Sequence, residues 1–475
     1  MRHTVRILNY AGVVPVPEPM HRVRGHAVSW VAPFSEAHSF RKHTASEGSR
    51  KSFESRVRLM FFLKFCCMVH NQCAGAGEAG LPDANGGNNM KKAVMIGAGQ
   101  IGRGFIGMLL EQAGYHVVFA DINKSVIDDI NTRHEYTVHL VDTECVNTTV
   151  RNISAVDSTT DALTDEYAAC SLICTSVGLT AFPYIAPRLA EGIRARYNAG
   201  CADCLNVIAC ENGLHNTRKL KELVFARLTE EEQTYADRYI GFPDCAVDRI
   251  IPPVEGIPAA EVVVEKYHEW DVERAGFKGE IPVIPGMNVV DDLSAYIERK
   301  LFTLNGPNAV TGCLGYLKGL GTVKEALEDE EIRAVVLGMM EECGAMLEKR
   351  HGFTAAEMKE YRDSLVRRFL NPYIVDKVTR VAREPIRKLA PDDRIIAPMN
   401  YARAFGIDTP NYRTGIASLL LYRNPEDPQS VELTDCAAEN GVEAALEKYC
   451  AIPRNSADAK QIKEEYDRLK AHFMR

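Results

Sequence analysis

The stretch Lys92-Ala-Val-Met-Ile-Gly-Ala-Gly-Gln-Ile-Gly102 decides the fold that we expect for this chain. Its first five residues form a short apolar run, which predicts a buried β-strand. The strand leads into a G-x-G-x-x-G pattern, and the apolar positions that follow repeat at helical spacing. A second apolar run, residues 116–120, predicts another strand and ends at Asp121. Strand, glycines, helix, strand and acid in this order are typical of a dinucleotide-binding β-α-β unit.

Each glycine of the pattern has a physical task. Gly97 permits the tight turn, Gly99 lets backbone amides approach a pyrophosphate, and Gly102 lets the helix pack closely on the strand. The helix N-terminus offers unpaired N–H groups and the positive end of its dipole to the phosphates. Asp121 can bind both ribose hydroxyls and would repel a 2′-phosphate, so we expect NAD rather than NADP as the cofactor.

The alternation of strands and helices continues, which predicts an α/β fold with a doubly wound, Rossmann-type sheet. Residues 171–175 and 205–210 read as buried strands, and residues 261–267 are expected to add a further strand to this sheet. Ligands of such sheets lie beyond the carboxyl ends of the strands, so residues 177–178 and 211–212 should face cofactor or substrate. The predicted cofactor-binding residues are Gly97, Ala98, Gly99, Gln100, Ile101, Gly102, Asp121, Val177 and Gly178.

Three segments of different character divide the chain. Residues 1–89 lack sustained periodicity, and we expect a disordered N-terminal extension or sequence upstream of the true start; a targeting segment is the alternative. Residues 90–285 form the predicted NAD-binding domain. Residues 286–475 repeat apolar positions at helical spacing, which predicts an all-helical domain that carries substrate and catalytic residues.

Composition narrows the class of function. The 475 residues are 46% hydrophobic and 25% charged, and no apolar stretch is long enough to span a membrane. The net charge is −8, yet residues 1–89 hold 11 Lys and Arg against 6 Asp and Glu. The remainder is therefore distinctly acidic, which argues against a nucleic-acid partner. The 14 scattered cysteines form no zinc or disulfide framework, so we expect no metal site and a reducing, cytoplasmic compartment.

The helical half and the strand ends supply candidates for catalysis. Hydride transfer from an alcohol needs a base, and a lysine can serve if burial and the positive nicotinamide lower its pKa, which makes Lys300 a candidate. Asn305 and Asn212 could each donate a hydrogen bond to the reacting oxygen. Gly306 and Pro307 are expected to end the helix after Asn305. A surface lysine and a loop-capping asparagine remain the alternatives.

A cationic cluster further along the chain suggests a site for an anionic group. Arg387, Lys388 and Arg394 could bind a substrate phosphate, because arginine suits bidentate contact with phosphate oxygens. The alternative is an ordinary charged turn in solvent.

Four segments together resemble the polyol-specific long-chain dehydrogenase family, in its mannitol-1-phosphate branch. The segments are Gly97-Ala-Gly-Gln-Ile-Gly-Arg-Gly-Phe-Ile-Gly107, Ala209-Cys-Glu-Asn212, Ala246-Val-Asp-Arg-Ile250 and Arg299-Lys-Leu-Phe-Thr-Leu-Asn305. The resemblance covers the chain from about Met90 onward. It implies a nucleotide-binding domain followed by a helical domain, a site between them, and a monomer. The implied reaction is the metal-free interconversion of D-mannitol 1-phosphate and D-fructose 6-phosphate with NAD.

The resemblance also implies residue roles and exposes one departure. Lys300 is implied as the general base for alcohol oxidation and general acid for ketone reduction, with Asn212 and Asn305 polarising the reacting oxygen. The family has a histidine three residues after the second asparagine, where this chain has Asn308. Asparagine can bind a hydroxyl but cannot carry a proton near neutral pH. A hexitol or sugar-acid dehydrogenase and a catalytically impaired NAD-binding protein therefore stay open as alternatives.

Overall fold

The computed structural model describes residues 8–9, 12–13, 91–142, 144–213, 215–252, 254 and 256–473. The predicted disorder of residues 1–89 concerns positions that lie almost wholly outside this part. Within it, Leu8–Asn9 and Gly12–Val13 pair as two short antiparallel strands. They belong to a separate unit from residues 91–473, which are described below.

The strands of the first half alternate with helices along the chain. They are β1 Lys92–Ile96, β2 His116–Asp121, β3 Tyr136–Val141, β4 Cys145–Val150, β5 Ile153–Asp157, β6 Leu172–Thr175, β7 Leu205–Ala209, β8 Ile240–Gly241, β9 Cys245–Asp248, β10 Val262–Glu265, β11 Glu269–Glu273 and β12 Met287–Val290. The helices between them are α1 Met108–Gln112, α2 Lys124–Arg133, α3 Ala162–Ala169, α4 Phe182–Asn198, α5 Asn216–Phe225 and α6 Glu230–Tyr239. A π-helical segment, Gly102–Gly107, leads into α1.

Six of these strands form one parallel sheet in the order β5-β2-β1-β6-β7-β8. Numbered by their succession in the chain, this is the 3-2-1-4-5-6 order of a doubly wound nucleotide-binding sheet. Side chains of β1 alternate between two cores: Ala93 and Met95 pack on one face, and Val94 and Ile96 on the other. A strand buried on both faces needs apolar residues throughout, which explains its continuous apolar run.

Two small sheets flank this arrangement. β10 pairs parallel with β3, and β3 pairs antiparallel with β4. The expectation that residues 261–267 extend the main sheet is therefore wrong, because an apolar run predicts a strand but carries no information about its partner. The second small sheet joins β9, β11 and β12. Although β12 lies after residue 286, it therefore pairs with a strand of the first half.

The second half is built from helices around one core. They are α7 Leu293–Arg299, α8 Gly306–Leu317, α9 Val323–Glu328, α10 Glu330–His351, α11 Ala355–Phe369, α12 Val378–Ala382, α13 Pro385–Lys388, α14 Ile396–Ala404, α15 Pro410–Leu421, α16 Pro428–Asn440, α17 Val442–Cys450 and α18 Ala457–Phe473. A Rossmann-type domain followed by a largely helical one confirms the predicted fold class. In the described residues, every helix is too short or too polar to cross a membrane.

Pro307 does not end its helix, contrary to the sequence-based expectation. Lys300–Asn305 form a π-helical turn that joins α7 to α8, and the Gly306 N–H bonds to the carbonyl of Leu301, five residues back. Proline lacks an N–H and its ring collides with the carbonyl four residues earlier in an α-helix. The wider π turn changes that spacing, so the chain stays helical through Pro307. Such turns are frequent at functional sites, and this one carries Lys300 and Asn305.

Candidate functional site

The glycine loop after β1 has the geometry that its pattern predicts. Gly97 has a φ of 93°, and a Cβ there would lie 2.7 Å from the carbonyl oxygen of Ser176. A Cβ on Gly102 would lie 2.0 Å from the Gly97 carbonyl oxygen, so only glycine permits this close packing. A Cβ on Gly99, by contrast, would meet no protein atom within 4 Å. The backbone at Gly99 therefore has an open side that a pyrophosphate can approach.

Asp121 lies beside this loop, at the end of β2. Its Oδ2 accepts a hydrogen bond from the Ala98 N–H at 2.6 Å, and its Oδ1 accepts from the N–H groups of Ile122 and Asn123 at 2.8 and 2.9 Å. Gln100 and the adjoining Ile101 continue the loop in helical conformation. These contacts hold a carboxylate next to the loop, where it suits a ribose diol.

The buried carboxylate of Glu211 holds the neighbouring loop. Sequence analysis placed this residue where cofactor or substrate should lie but gave it no specific role. Glu211 is 5% exposed and follows β7. It accepts hydrogen bonds from the Thr175 hydroxyl at 2.8 Å and the Val177 N–H at 3.0 Å. Burial raises the pKa of Glu211. Gly178, at φ 84°, turns the chain after Val177, so Glu211 fixes the loop expected to face the cofactor. Its position directly after a buried strand was the one sequence signal for it.

Lys300 connects the two halves through hydrogen bonds. Its Nζ donates to the Val247 carbonyl oxygen at 2.6 Å and to Asn212 Oδ1 at 3.2 Å. The neighbouring Asp248 is buried and pairs with Arg368 at 2.7 Å. Burial alone would raise the pKa of Asp248, but the charges of Arg368 and Lys300 lower it below its usual value. The ammonium group of Lys300 is thus held in one orientation on the edge of the cleft.

More carboxylates lie behind this lysine, in β11. Burial raises the pKa of both Glu269 and Asp271. Arg299, the residue before Lys300, contacts Glu269 and approaches Asp271 Oδ2 at 4.0 Å. Lys300 therefore belongs to a charged network that spans β9, β11 and the start of the π turn.

A cavity of about 550 Å³ contains the predicted substrate-side residues. Those on its wall are Asn212, Lys300, Asn305, Asn308, Arg387, Lys388 and Arg394. Segments nearly 200 positions apart in the sequence thus meet in one cleft. Asn308 contributes a buried Oδ1 atom that has no hydrogen-bond partner among the described residues.

More basic residues line the cavity than the three that the sequence analysis selected. Arg380 and Arg383 also line it, and sequence reasoning missed both as ligands, although Arg383 opens the cationic stretch. Lys388 is 4% exposed, and burial lowers its pKa to about 8. Basic side chains from α12, α13 and the following loop therefore face the same space as Lys300.

Metal ligands are absent from the part of the chain that the structure describes. There, no three or more His, Cys, Asp or Glu side chains form a group able to hold a metal ion. Lys300 and the asparagines lie on the wall of the same cleft.

Comparison with known families matches both halves of the chain. Residues 91–286 match the mannitol dehydrogenase Rossmann domain, and residues 292–470 match the mannitol dehydrogenase C-terminal domain. The chain belongs to the mannitol dehydrogenase family. It is a polyol dehydrogenase, an oxidoreductase that acts on CH–OH groups and binds a nicotinamide dinucleotide on its Rossmann domain.

Solved structures of polyol dehydrogenases share the architecture of this family member. Mannitol 2-dehydrogenase of Pseudomonas fluorescens, solved with NAD and D-mannitol, is 18% identical, with 81% of this chain and 93% of that chain covered and a TM-score of 0.59. D-sorbitol dehydrogenase in substrate-free form is 19% identical, with 79% and 92% covered and a TM-score of 0.66. At such identities the likeness shows a common fold.

Proposed function

We propose that this polyol dehydrogenase interconverts D-mannitol 1-phosphate and D-fructose 6-phosphate with NAD, as a mannitol-1-phosphate 5-dehydrogenase. The observation that carries the proposal is the shared cavity: Lys300 and five basic residues line the same space. A sugar phosphate needs both a proton acceptor near its reacting carbon and cations near its phosphate. An unphosphorylated polyol needs only the first.

Lys300 acts as the acid and base in this proposal. During alcohol oxidation its neutral amine takes the hydroxyl proton on Nζ, and during ketone reduction the ammonium returns that proton. The Val247 carbonyl orients Nζ through the 2.6 Å hydrogen bond. Asn212 Oδ1 accepts from Lys300, so the Asn212 amide NH₂ is free to donate to the reacting oxygen. Asn305 donates to the same oxygen from the π turn, and Asn308, on the cavity wall, hydrogen-bonds a substrate hydroxyl. A bound nicotinamide supplies the hydride acceptor or donor.

We propose NAD rather than NADP as the cofactor. The carboxylate of Asp121 is held beside the glycine loop by three backbone N–H groups. A 2′-phosphate at the adjacent ribose would meet that negative charge at short range, which disfavours NADP. We also propose that the protein acts as a cytoplasmic monomer on a small-molecule substrate; its 14 cysteines are scattered along the chain without a regular framework, which fits a reducing compartment.

An unphosphorylated hexitol or a sugar acid is the second candidate substrate. Several basic residues on the wall already have carboxylate partners, such as Arg387 with Glu384 and Arg394 with Asp393. These pairs reduce the positive charge that a phosphate would meet. A third candidate, an impaired NAD-binding protein, rests on Asn308 in place of the family histidine.

The deciding assay follows NADH absorbance in the presence of fructose 6-phosphate, with fructose and NADPH as parallel controls. We expect oxidation with NADH and the phosphorylated sugar, and much slower oxidation in both controls. Comparable activity on fructose would favour the hexitol candidate. Tight NADH binding without turnover on any of these sugars would favour the impaired enzyme.

A further inference from the structure

The basic residues on the cavity wall differ in whether a carboxylate already pairs with their positive charge. Arg394 Nε donates to Asp393 at 2.6 Å, and Arg387 Nε donates to Glu384 at 2.9 Å. Arg380 makes a bidentate contact with Asp376. An arginine held by a carboxylate must share or release that partner before it binds a phosphate. This weakens its net contribution to phosphate binding.

Arg383 is the exception on this wall. It lines the cavity and is exposed to solvent. Among the described residues, its guanidinium has neither a hydrogen bond nor an ion pair, although its charge, after that of Arg387, helps to lower the pKa of Glu384. Its donors are therefore free to meet both oxygens of a phosphate without breaking a contact.

Three hydrogen bonds hold the turn that carries Arg383, two from Lys388 and one to Asp427. Lys388 Nζ donates to the Val381 carbonyl at 2.8 Å and also to the Arg383 carbonyl. Glu384 adopts a left-handed conformation at φ 58°, which is uncommon for a residue other than glycine. Its N–H donates to Asp427 Oδ2 at 2.7 Å. A conformation of this kind persists where its surroundings over-determine it, and it is a feature of ligand sites.

The ammonium group of Lys388 is itself occupied by hydrogen bonds within this turn. Its side chain is buried, and two of its three N–H donors bond to the carbonyls at the end of α12. This leaves it poorly placed to serve as the main phosphate contact that its charge suggests. Its visible task is to fix the backbone of Arg383.

We propose that Arg383 is the residue that selects a phosphorylated substrate, and that Lys388 is a positioning residue that fixes the turn carrying Arg383. The inference rests on the proposed function and changes its assignment of phosphate ligands: Arg383 makes the primary contact, while Arg387 and Arg394 act as partnered neighbours. The fixed turn removes the cost of ordering the backbone when Arg383 binds, so only its side chain loses conformational freedom.

The first test compares Arg383→Ala with Arg387→Ala, which removes the same charge from the same wall. Steady-state kinetics with NADH should show a KM for fructose 6-phosphate that is raised on the order of tenfold or more in Arg383→Ala, with kcat within about threefold of wild type. Arg387→Ala should raise KM by a smaller factor, because the Arg387 guanidinium is already bonded to Glu384 and has fewer donors available for a phosphate. Arg383→Lys should restore part of the loss. A KM for Arg383→Ala within twofold of wild type, or a larger rise in Arg387→Ala, overturns the proposal.

The second test examines the positioning role of Lys388 by a double-mutant cycle. Lys388→Met should raise KM for fructose 6-phosphate with little change in kcat. If Lys388 acts through Arg383, the double variant Arg383→Ala and Lys388→Met should have a KM close to that of Arg383→Ala alone. Multiplicative increases would mean that Lys388 contacts the phosphate itself, which overturns its positioning role.

Thermal unfolding separates this inference from the proposed function. Wild type saturated with NAD, which cannot reduce the ketose, should show a higher Tm with fructose 6-phosphate than without it, and Arg383→Ala should lose most of that shift. If wild type shows the shift but no turnover, the proposed function fails and the Arg383 inference stands. If turnover occurs and Arg383→Ala keeps the full shift, the function stands and the inference fails. If wild type neither turns over nor binds fructose 6-phosphate, both fail.

Discussion

The glycine loop and the substrate cavity both lie beyond the carboxyl ends of the sheet strands, yet they are assembled from the chain in opposite ways. The loop uses six consecutive residues, 97–102, and mainly their backbone N–H groups. The cavity gathers side chains from residues 211–213, 246–247, 297–309 and 380–394. A site made of consecutive backbone depends on conformation alone, whereas a site made of distant side chains depends on how two halves of the molecule pack.

The two regions also differ in electrostatics. The carboxylate of Asp121 beside the loop accepts three backbone hydrogen bonds, so its charge is solvated by the protein itself. The cavity holds several cations whose partners range from a bidentate carboxylate for Arg380 to backbone carbonyls for the buried Lys388. Changes in the loop should therefore act on cofactor binding through shape, and changes in the cavity should act on turnover and substrate affinity through charge.

The largest effect that we expect comes from Lys300→Met. Loss of the proton acceptor should lower kcat by roughly 10²- to 10⁴-fold, while the Kd for NADH, measured by fluorescence titration, should change little. Lys460→Met, at an exposed position of α18, is the matched control and should retain wild-type kinetics. A kcat for Lys300→Met within tenfold of wild type would mean that another group takes the proton.

A pair of alanine substitutions in the loop should separate packing from cofactor approach. Gly102→Ala places a Cβ at 2.0 Å from a backbone oxygen, and such overpacking should lower the free energy of unfolding by about 1–3 kcal/mol. Gly99→Ala meets no protein atom within 4 Å, so the fold should tolerate it. Its methyl group would occupy the open side, and the Kd for NADH should rise on the order of tenfold. Denaturant unfolding measures the free energy of unfolding of both variants, and NADH titration measures their Kd. Equal losses of stability and equal rises in Kd in the two variants would contradict the loop assignment.

A moderate gain is expected from Asn308→His. The Oδ1 atom of Asn308 is buried without a partner on the cavity wall, and a histidine there could orient the substrate hydroxyl and exchange a proton near neutral pH. We expect kcat for fructose 6-phosphate reduction to rise severalfold, with Asn308→Ala as the variant that removes the amide and adds nothing. An unchanged or lower kcat in Asn308→His would show that the site is adapted to asparagine.

The smallest effect concerns the buried charge of Lys388. Burial lowers its pKa to about 8 from an ordinary 10.5, so between these values the unfolded chain binds more protons than the folded one. Stability from this group therefore rises as pH increases through that window. We expect the stability of Lys388→Met, relative to wild type, to fall by about 1–2 kcal/mol between pH 7.5 and 9.5. Urea unfolding at the two pH values measures it, and a constant difference would contradict the lowered pKa of Lys388.

The sequence by itself was sufficient to predict those parts of the structure whose physical cause is local in the chain. The loop conformation follows from Gly97 and Gly102, because a positive φ at the first and close packing at the second exclude a Cβ. The strands β1, β2, β6 and β7 and the long helices follow from apolar period alone. Local reasoning singled out Asn212 after a strand and Lys300 and Asn305 before Gly306, while their roles as a group were implied by the family resemblance.

Only the tertiary structure decided features that depend on partners far away in the chain. Strand β10 pairs with β3 instead of extending the main sheet, and a π turn carries the helix through Pro307, where local propensity predicts an end. The sequence shows five similar cations between residues 380 and 394. It cannot show that Arg387 and Arg394 have carboxylate partners while Arg383 has no bonded partner among the described residues. Whether a charge is already compensated depends on which side chains meet in space, and the spacing of residues along the chain does not contain that information.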